Sequence, residues 1–175
     1  YIQRFEGLLT VDELGAFLPQ GERDNHALRE ELGNLVNTIQ SPSLRAFFSI
    51  FSAQSDMMER FCTYPASIGV HHAYLGGLLH DIGMIDEMEM RVGFRYSDEG
   101  RLLGHISLGV MIFEKLAKEV PRFPAGIGNV LKLIIISHHG VEEWGSPRKP
   151  MCIEALIVHY LDNLDAKVMG VKEHM

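Results

Sequence analysis

Cysteine is scarce in this sequence, which contains only Cys62 and Cys152. Two cysteines make neither a disulfide framework nor a cysteine-rich zinc site. Both lie in apolar helical patterns, so we expect small buried hydrophobic side chains there. The sequence also has no apolar run long enough to span a bilayer, and its first residues lack the order that marks a signal peptide. These absences argue against a membrane protein and favour a reducing cytoplasm.

An excess of positive charge is absent as well. The formal net charge is −7 at pH 7, whereas a protein that binds nucleic acid over its whole surface is usually basic. Any contact with nucleic acid must therefore be local. A phosphate substrate is not excluded, because bound divalent cations supply positive charge inside a site. The length of 175 residues and a hydrophobic share of 46% suit one compact globular domain.

Helical periodicity runs along almost the entire chain, and no strand pattern competes seriously with it. The sequence therefore predicts an all-α protein. The predicted helices lie at 11–17, from Asp24 to the break at Ser41-Pro42-Ser43, at 44–51 and 56–62 behind caps at Ser43 and Ser55, from Ser97-Asp98 to Val120, at 126–138, and from about Pro150 to Val168. Residues 91–100 are predicted to form a loop or short hairpin. The helix at 126–138 should be buried on most sides, and the phenylalanine-rich stretch 47–51 should belong to the core rather than to an interface.

The nine histidines are unevenly placed, and several lie at the ends of strongly apolar segments. Those that attract attention are His71-His72, His80-Asp81, His105 and His138-His139. One histidine on an apolar face is most often a satisfied core residue, but the whole set is harder to explain in that way. Imidazole and carboxylate ligands together suit Mn, Fe, Ni, Zn or Co, and the carboxylate also admits Mg.

The His80-Asp81 pair is the centre of the candidate metal site. Adjacent residues on a helix are a fraction of a turn apart, so both side chains can reach one ion, and the carboxylate can bridge two. A helix-end histidine beside a solvated aspartate is the alternative for the dipeptide alone. The apolar context of Leu78-Leu79 and Ile82 argues against that alternative, since an unpaired aspartate there costs roughly 2–7 kcal/mol or more without a cation or hydrogen bonds.

His105 and the His138-His139 pair are the next candidates. His105 follows Gly104 inside an amphipathic helix, where the glycine admits a ligand or simply close helix packing. His138 and His139 end an apolar helix before Gly140, and a favourable interaction with the helix dipole explains one of them but not obviously both. Asp98 or Glu99 is a candidate hydrogen-bond acceptor for the second ring nitrogen of His105.

The last predicted helix supplies a remote carboxylate. Three- and four-residue spacing places His159 and Asp162 on one face with Ala155 and Ala166. Asp162 lies beside Leu161 on an otherwise apolar stripe, which makes it the best candidate for a distant ligand.

Taken together, these motifs resemble the HD superfamily of metal-dependent phosphohydrolases, and most closely its YhaM-type 3′-5′ exoribonucleases. The similar strings are Pro65-Ala66, His71 to Leu78, His80-Asp81-Ile82-Gly83, Gly100 to Ile106, Ser137-His138-His139-Gly140, Gly145-Ser146-Pro147 and Asp162 to Lys167. Together they cover most of the chain from about Leu35 onward, and as a set they are specific.

The resemblance implies an HD-domain helical bundle at 21–175, with residues 1–20 as a linker and the tail of an N-terminal OB-type domain. It implies one or two divalent ions (Mn, Fe, Ni, Co or Mg) held by His80, Asp81, His105, His138, His139 and Asp162. Asp81 and His105 would be catalytic. Side chains that would contact the substrate are His71, His72, Arg101, Arg148 and Lys167.

Two departures from the family pattern matter. Family members carry a Leu-Glu-His string and a further helix where Leu78 here runs directly into Leu79-His80. Either the segment is truly lost, or it belongs to the protein and is missing from the sequence as it stands. The second is favoured, because losing a core helix would leave a cavity. If the loss is real, His71 or His72 substitutes or the site is inactive. The second departure is Met84, where many members have lysine.

Three functions therefore compete. The first is a 3′-5′ phosphodiesterase that shortens single-stranded RNA or DNA. The second is an HD enzyme acting on a small nucleotide or cyclic dinucleotide. The third is a degenerate HD module that binds without catalysis. The first is favoured, and the sequence leaves a homo-oligomer open.

Overall fold

The computed structural model describes residues 25–64, 82–90 and 94–173. In these ranges six α-helices dominate, so the predicted all-α class is confirmed. The elements are α1 (Asn25–Thr38), α2 (Pro42–Ala53), α3 (Ser55–Thr63), β1 (Met88–Met90), β2 (Phe94–Tyr96), α4 (Asp98–Glu119), α5 (Ala125–Ser137) and α6 (Ile153–Glu173), with short 3₁₀ turns at Ile82–Ile85 and Glu142–Trp144. The helix predicted at 11–17 lies outside the described residues.

Local capping chemistry sets the helix starts. α4 begins where the sequence predicted, and Ser97 caps it: the Ser97 Oγ accepts a hydrogen bond from the Gly100 N–H at 2.8 Å. The caps predicted at Ser43 and Ser55 are wrong. Ser41 caps α2, because Pro42 fits the first helical turn, where its missing N–H leaves no bond unmade. Ser55 is itself the first residue of α3 and is preceded by Gln54, which makes no side-chain cap bond.

The core lies between α2, α3 and α4. Phe47 packs against Phe113 and Phe123, with ring centroids 5.3 and 5.9 Å apart, and Phe51 meets Phe61 at 5.1 Å. The core assignment of the phenylalanine-rich stretch is therefore confirmed. Other buried members of this cluster are Met57, Met58, Cys62, Ile85, Ile112, Leu116 and Val120. Cys62 is buried as expected, whereas Cys152 is only partly buried.

Truncating Leu116 on α4 is expected to destabilise the fold strongly. Its side chain is 0% exposed, so Leu116→Ala leaves a cavity and should lower the free energy of unfolding by about 2–5 kcal/mol. Leu102, on the same helix, is 83% exposed, and Leu102→Ala should change it by no more than about 0.5 kcal/mol. Urea denaturation of both variants measures the difference, and equal losses would contradict this picture of the core.

The hairpin is short and lies directly before α4. Met88 pairs with Tyr96 and Glu89 with Arg95 in antiparallel register. A loop or short hairpin was predicted within residues 91–100, and only the second strand of the hairpin lies there: the first strand ends at Met90, and residues 98–100 already belong to α4. The N–H of Ser97 donates to the Glu87 carbonyl at 2.8 Å, so the residues that precede β1 are fixed against the start of α4.

The two C-terminal helices bury fewer of their apolar side chains than the sequence predicts. The apolar side chains of α5 between residues 130 and 136 are half-buried rather than buried on most sides. In α6 the inward face carries Ala155, which is fully buried, and His159. The apolar stripe on the other face of α6 is exposed and comprises Ile153, Leu156, Ile157, Leu161, Leu164 and Val168. The main neighbour of α6 among the described elements is α5, and a single neighbour covers only one face of a helix.

Within the ranges that the structure describes, no helix combines the length and the apolar character needed to cross a membrane.

Candidate metal centre

Three imidazole rings converge where α4 meets the end of α5. One ring nitrogen from each of His105, His138 and His139 lies within 4.8 Å of the other two. The Nε2 atoms of His105 and His139 are 3.2 Å apart, and the ring centroids of His138 and His139 are separated by 4.3 Å. The structure thus brings together three of the predicted ligands, although His105 is more than thirty positions from the His138-His139 pair in the sequence.

A break in α4 places His105. Gly104 has φ 70° and ψ 158°, which interrupts the helix and which glycine adopts without a side-chain clash. His105 then begins a new helical stretch. Its backbone N–H donates to Oε1 of Glu87 at 3.2 Å, which satisfies a donor that a helix start leaves without an intrahelical partner.

The end of α5 places the other two rings. His138 is the C-cap residue, and Gly140 follows with φ 82°, so the chain turns sharply after His139. The Gly140 N–H donates to the carbonyl of Ser137 at 2.8 Å. The Nδ1–H of His159 on α6 donates to the carbonyl of His138 at 2.7 Å. This carbonyl at the helix end is therefore satisfied by the neighbouring helix.

Each of the three clustered rings has its Nδ1 next to an oxygen that can only accept. The acceptors are Glu87 Oε1 for His105 at 3.4 Å, the Ile135 carbonyl for His138 at 2.8 Å, and the Trp144 carbonyl for His139. Nδ1 must then carry the proton, which leaves the lone pair on Nε2 of each neutral ring.

This arrangement fits a divalent cation. Two Nε2 lone pairs that face each other at 3.2 Å repel unless a positive charge lies between them. Metal-bound histidines commonly donate the second ring nitrogen to a carboxylate or a backbone carbonyl, which is the pattern seen for all three rings. The described residues therefore hold a histidine cluster that could bind a metal ion.

The local environment keeps His139 in the form that binds metal. Burial lowers the pKa of His139, and the nearby His138 and His105 lower it further. The hydrogen bond to the Trp144 carbonyl and the charge of Asp162 act in the opposite direction, but they do not outweigh the lowering. His139 is therefore neutral near pH 7, as a metal ligand must be.

The remaining predicted site residues fall into three groups. Asp162 on α6 is partly buried and close enough to act electrostatically on His139, but it is not a member of the tight cluster. The side chains predicted to contact substrate at Arg101, Arg148 and Lys167 are exposed. The last four predicted site residues lie outside the described residues and are His71, His72, His80 and Asp81.

The acceptor for His105 is Glu87, whereas Asp98 and Glu99 are exposed in the first turn of α4, where a carboxylate favours the helix dipole. The signal for Glu87 in the sequence was an acidic residue next to the apolar core segment. Met84 packs against the hydrophobic core, so it contributes packing at the position where the resemblance led us to expect a lysine.

The HD domain family matches residues 56–167, which is more than half of the chain and includes α3 to most of α6. The chain belongs to the HD domain family. The predicted HD bundle is confirmed, and the three converging histidines lie inside the matched region.

Curated relatives of this HD chain share the name 3′-5′ exoribonuclease YhaM. The protein from Bacillus velezensis (strain DSM 23117 / BGSC 10A6 / LMG 26770 / FZB42) is 49% identical over 96 residues, which cover 55% of this chain and 30% of the relative. The protein from Bacillus pumilus (strain SAFR-032) is 46% identical, over 63% of this chain and 45% of the relative. The predicted resemblance to YhaM-type proteins is confirmed.

A third relative, from Geobacillus sp. (strain WCH70), has the same name and is 30% identical over 187 aligned positions, covering 87% of this chain and 56% of the relative. Because 187 exceeds the 175 residues of the whole chain, this relative has residues without a counterpart here. The chain spans between 30% and 56% of the length of these three relatives. No solved structure gives a significant match.

Proposed function

We propose that this HD chain is a metal-dependent phosphodiester hydrolase that removes nucleotides from the 3′ end of single-stranded nucleic acid, most simply RNA. The observation that carries the proposal is the shared orientation of three imidazoles. His105, His138 and His139 each bind an acceptor through Nδ1, so their Nε2 lone pairs are available to one cation. The shared name of the relatives supports the choice of substrate.

We propose His80, Asp81 and Asp162 as the ligands that complete the site. A set in which imidazole nitrogens predominate favours Mn, Fe, Ni or Co over Mg. When bound, such a cation lowers the pKa of a coordinated water and stabilises negative charge on a phosphate oxygen. The influence of the Asp162 charge on the pKa of His139 supports including this carboxylate, since its negative charge would attract a cation at the histidine cluster.

The chain itself supplies orientation and charge. The backbone and carboxylate acceptors fix the rings of the three clustered histidines before any ligand arrives, so the site loses little entropy on binding. The exposed cations Arg101, Arg148 and Lys167 are proposed to contact backbone phosphates of the substrate. Their local positive charge would offset a net charge of −7, which repels nucleic acid from the rest of the surface.

The test uses the purified chain, single-stranded RNA labelled at its 5′ end, and Mn²⁺ or Mg²⁺. We expect a ladder of products that shorten from the 3′ end with Mn²⁺, little product with Mg²⁺, and none with a chelator. Asp81→Ala should fold and bind RNA but yield no ladder, because it lacks the carboxylate proposed to hold the cation.

Other outcomes decide against the proposal. Turnover of mononucleotides or cyclic dinucleotides, with intact RNA, would assign the chain to the enzymes of small nucleotides. Failure to bind Mn²⁺, Ni²⁺ or Co²⁺ would make it a non-catalytic module. A ladder that persists in Asp81→Ala would refute the role of that residue.

A further inference from the structure

Glu87 is a buried carboxylate in direct contact with a proposed metal ligand. It is 7% exposed and lies between the 3₁₀ turn Ile82–Ile85 and β1. Its Oε1 is 3.2 Å from the backbone nitrogen of His105 and 3.4 Å from Nδ1 of the same residue. Burial of a carboxylate is unfavourable unless hydrogen bonds or charges compensate. His105 provides two hydrogen-bond donors to Glu87, its backbone N–H and its Nδ1–H.

The backbone around Glu87 is held from two directions. On one side, Ser97 at the start of α4 donates from its N–H to the Glu87 carbonyl at 2.8 Å and from its Oγ to the Asp86 carbonyl at 2.7 Å. On the other side, Arg60 of α3 donates to the Ile85 carbonyl at 3.1 Å and to the Asp86 carboxylate at 3.0 Å. The Glu87 side chain therefore projects from a fixed anchor.

α4 also packs directly on this anchor. A Cβ at Gly100 would lie 2.2 Å from the Glu87 carbonyl oxygen, so only glycine permits the approach that is observed. Gly100 and His105 belong to α4, on either side of its break at Gly104. Glu87 thus contacts the helix before the break through its backbone and after the break through its side chain.

We infer that Glu87 is the positioning residue for His105, which goes a step beyond the proposed function and rests on His105 being a ligand. One oxygen that accepts from both the N–H and the Nδ1–H of a single residue fixes the ring relative to its backbone. It also selects the Nδ1–H tautomer, which directs the Nε2 lone pair toward His139, 3.2 Å away. The negative charge of the carboxylate makes the imidazole a stronger ligand.

The second carboxylate oxygen of Glu87, Oε2, makes it possible to distinguish a positioning role from a purely structural one. Among the described residues, Oε2 of Glu87 is buried and has no hydrogen-bond partner. Glu87→Gln keeps the shape and an Oε1 acceptor, removes the charge, and sacrifices no hydrogen bond at Oε2. The metal-free Glu87→Gln protein should therefore be as stable as the wild type or more stable, while its affinity for metal falls.

The experiment compares Glu87→Gln, Glu87→Ala and the control Glu99→Gln in the complete chain. Glu99 is the matched control because it is an exposed carboxylate in the first turn of α4, ahead of the break at Gly104 that precedes His105. Three quantities are measured: the Kd for Mn²⁺, the thermal midpoint of the metal-free protein, and the tautomer of His105 from its ¹⁵N chemical shifts. The tautomer is a property that a purely structural role would leave unchanged.

We expect the Kd for Mn²⁺ to rise about 10- to 100-fold in Glu87→Gln and Glu87→Ala and to stay unchanged in Glu99→Gln. The Nδ1–H preference of His105 should be lost in Glu87→Ala and kept in Glu87→Gln, since only the amide retains an acceptor. A wild-type Kd together with a wild-type tautomer in Glu87→Ala would overturn the inference. So would a thermal midpoint of Glu87→Gln that falls together with its affinity.

Failure of the proposed function would give a different result. If the wild type binds no metal, the hydrolase proposal is lost. The tautomer of His105 in the metal-free protein still shows whether Glu87 orients the ring.

Discussion

Replacing His139 with alanine is expected to abolish the metal-dependent hydrolysis proposed for this chain. The Nε2 atom of His139 is 3.2 Å from the Nε2 atom of His105, so a cation bound by the cluster would lose a direct ligand in the His139→Ala variant. Because loss of an outer partner of a ligand alone costs about 10- to 100-fold in affinity or activity, the loss here should exceed about 100-fold. Mn²⁺ titration and the 3′-end RNA ladder measure it.

The same substitution should not unfold the protein. In the absence of metal, the His139 ring is desolvated and its Nε2 lone pair faces His105, and neither feature stabilises the fold. Burial also lowers the pKa of His139, because it disfavours the charged form. The metal-free His139→Ala protein should therefore keep the wild-type thermal midpoint near pH 7. A midpoint that falls steeply would mean that the ring is mainly a packing element.

Two further comparisons sharpen this test. His26 on α1 is exposed and outside the cluster, so His26→Ala should bind Mn²⁺ like the wild type. His105→Ala should match His139→Ala, and the double variant should lose little more, because ligands of one ion act as a unit and their losses do not add. Additive losses would indicate that the two rings serve different functions.

The sequence predicted the clustered histidines because their residue types are rare on apolar helix ends and recur in a family pattern. It did not single out Glu87 as the partner of His105. The contact between Glu87 and His105 spans 18 positions and depends on the break at Gly104, which periodicity treats as an uninterrupted helix. Asp98 and Glu99 were nearer in sequence, but nearness along a helix does not determine which carboxylate faces a ring.

The positions of the helices were likewise easier to predict than which face of each helix is buried. The pattern of α6 indicated one apolar stripe and one small or polar face, both of which the structure contains. Periodicity shows that two faces differ but not which one meets the rest of the chain. In α6 the inward face contains Ala155 and His159, because His159 bonds the His138 carbonyl at the end of α5.

The turn that follows His139 offers the most severe structural test of the site. Gly140 has φ 82°, and a Cβ built there would lie 2.1 Å from Cε1 and 2.5 Å from Nε2 of the His159 ring. Gly140→Ala therefore combines a left-handed backbone, which costs about 1–2 kcal/mol, with overpacking, which costs about 1–3 kcal/mol. We expect the free energy of unfolding to fall by the sum of these two costs.

The damage should extend to metal binding. Displacing the His159 ring breaks its 2.7 Å bond to the His138 carbonyl, which leaves that helix-end carbonyl without its partner and shifts the adjacent rings. Because a small misplacement of ligands is costly in a preorganised site, Mn²⁺ affinity should fall with stability in Gly140→Ala. Denaturation and Mn²⁺ titration of the same preparation measure the two losses.

Gly145 provides the matched control for this substitution. It has a similar φ of 89°, but a Cβ there meets nothing within 4 Å, so Gly145→Ala introduces the backbone strain without the collision. It should cost only about 1–2 kcal/mol and leave the Kd for Mn²⁺ unchanged. If Gly145→Ala and Gly140→Ala had equal effects on both quantities, the contact between His159 and the turn would not hold the histidine cluster in place.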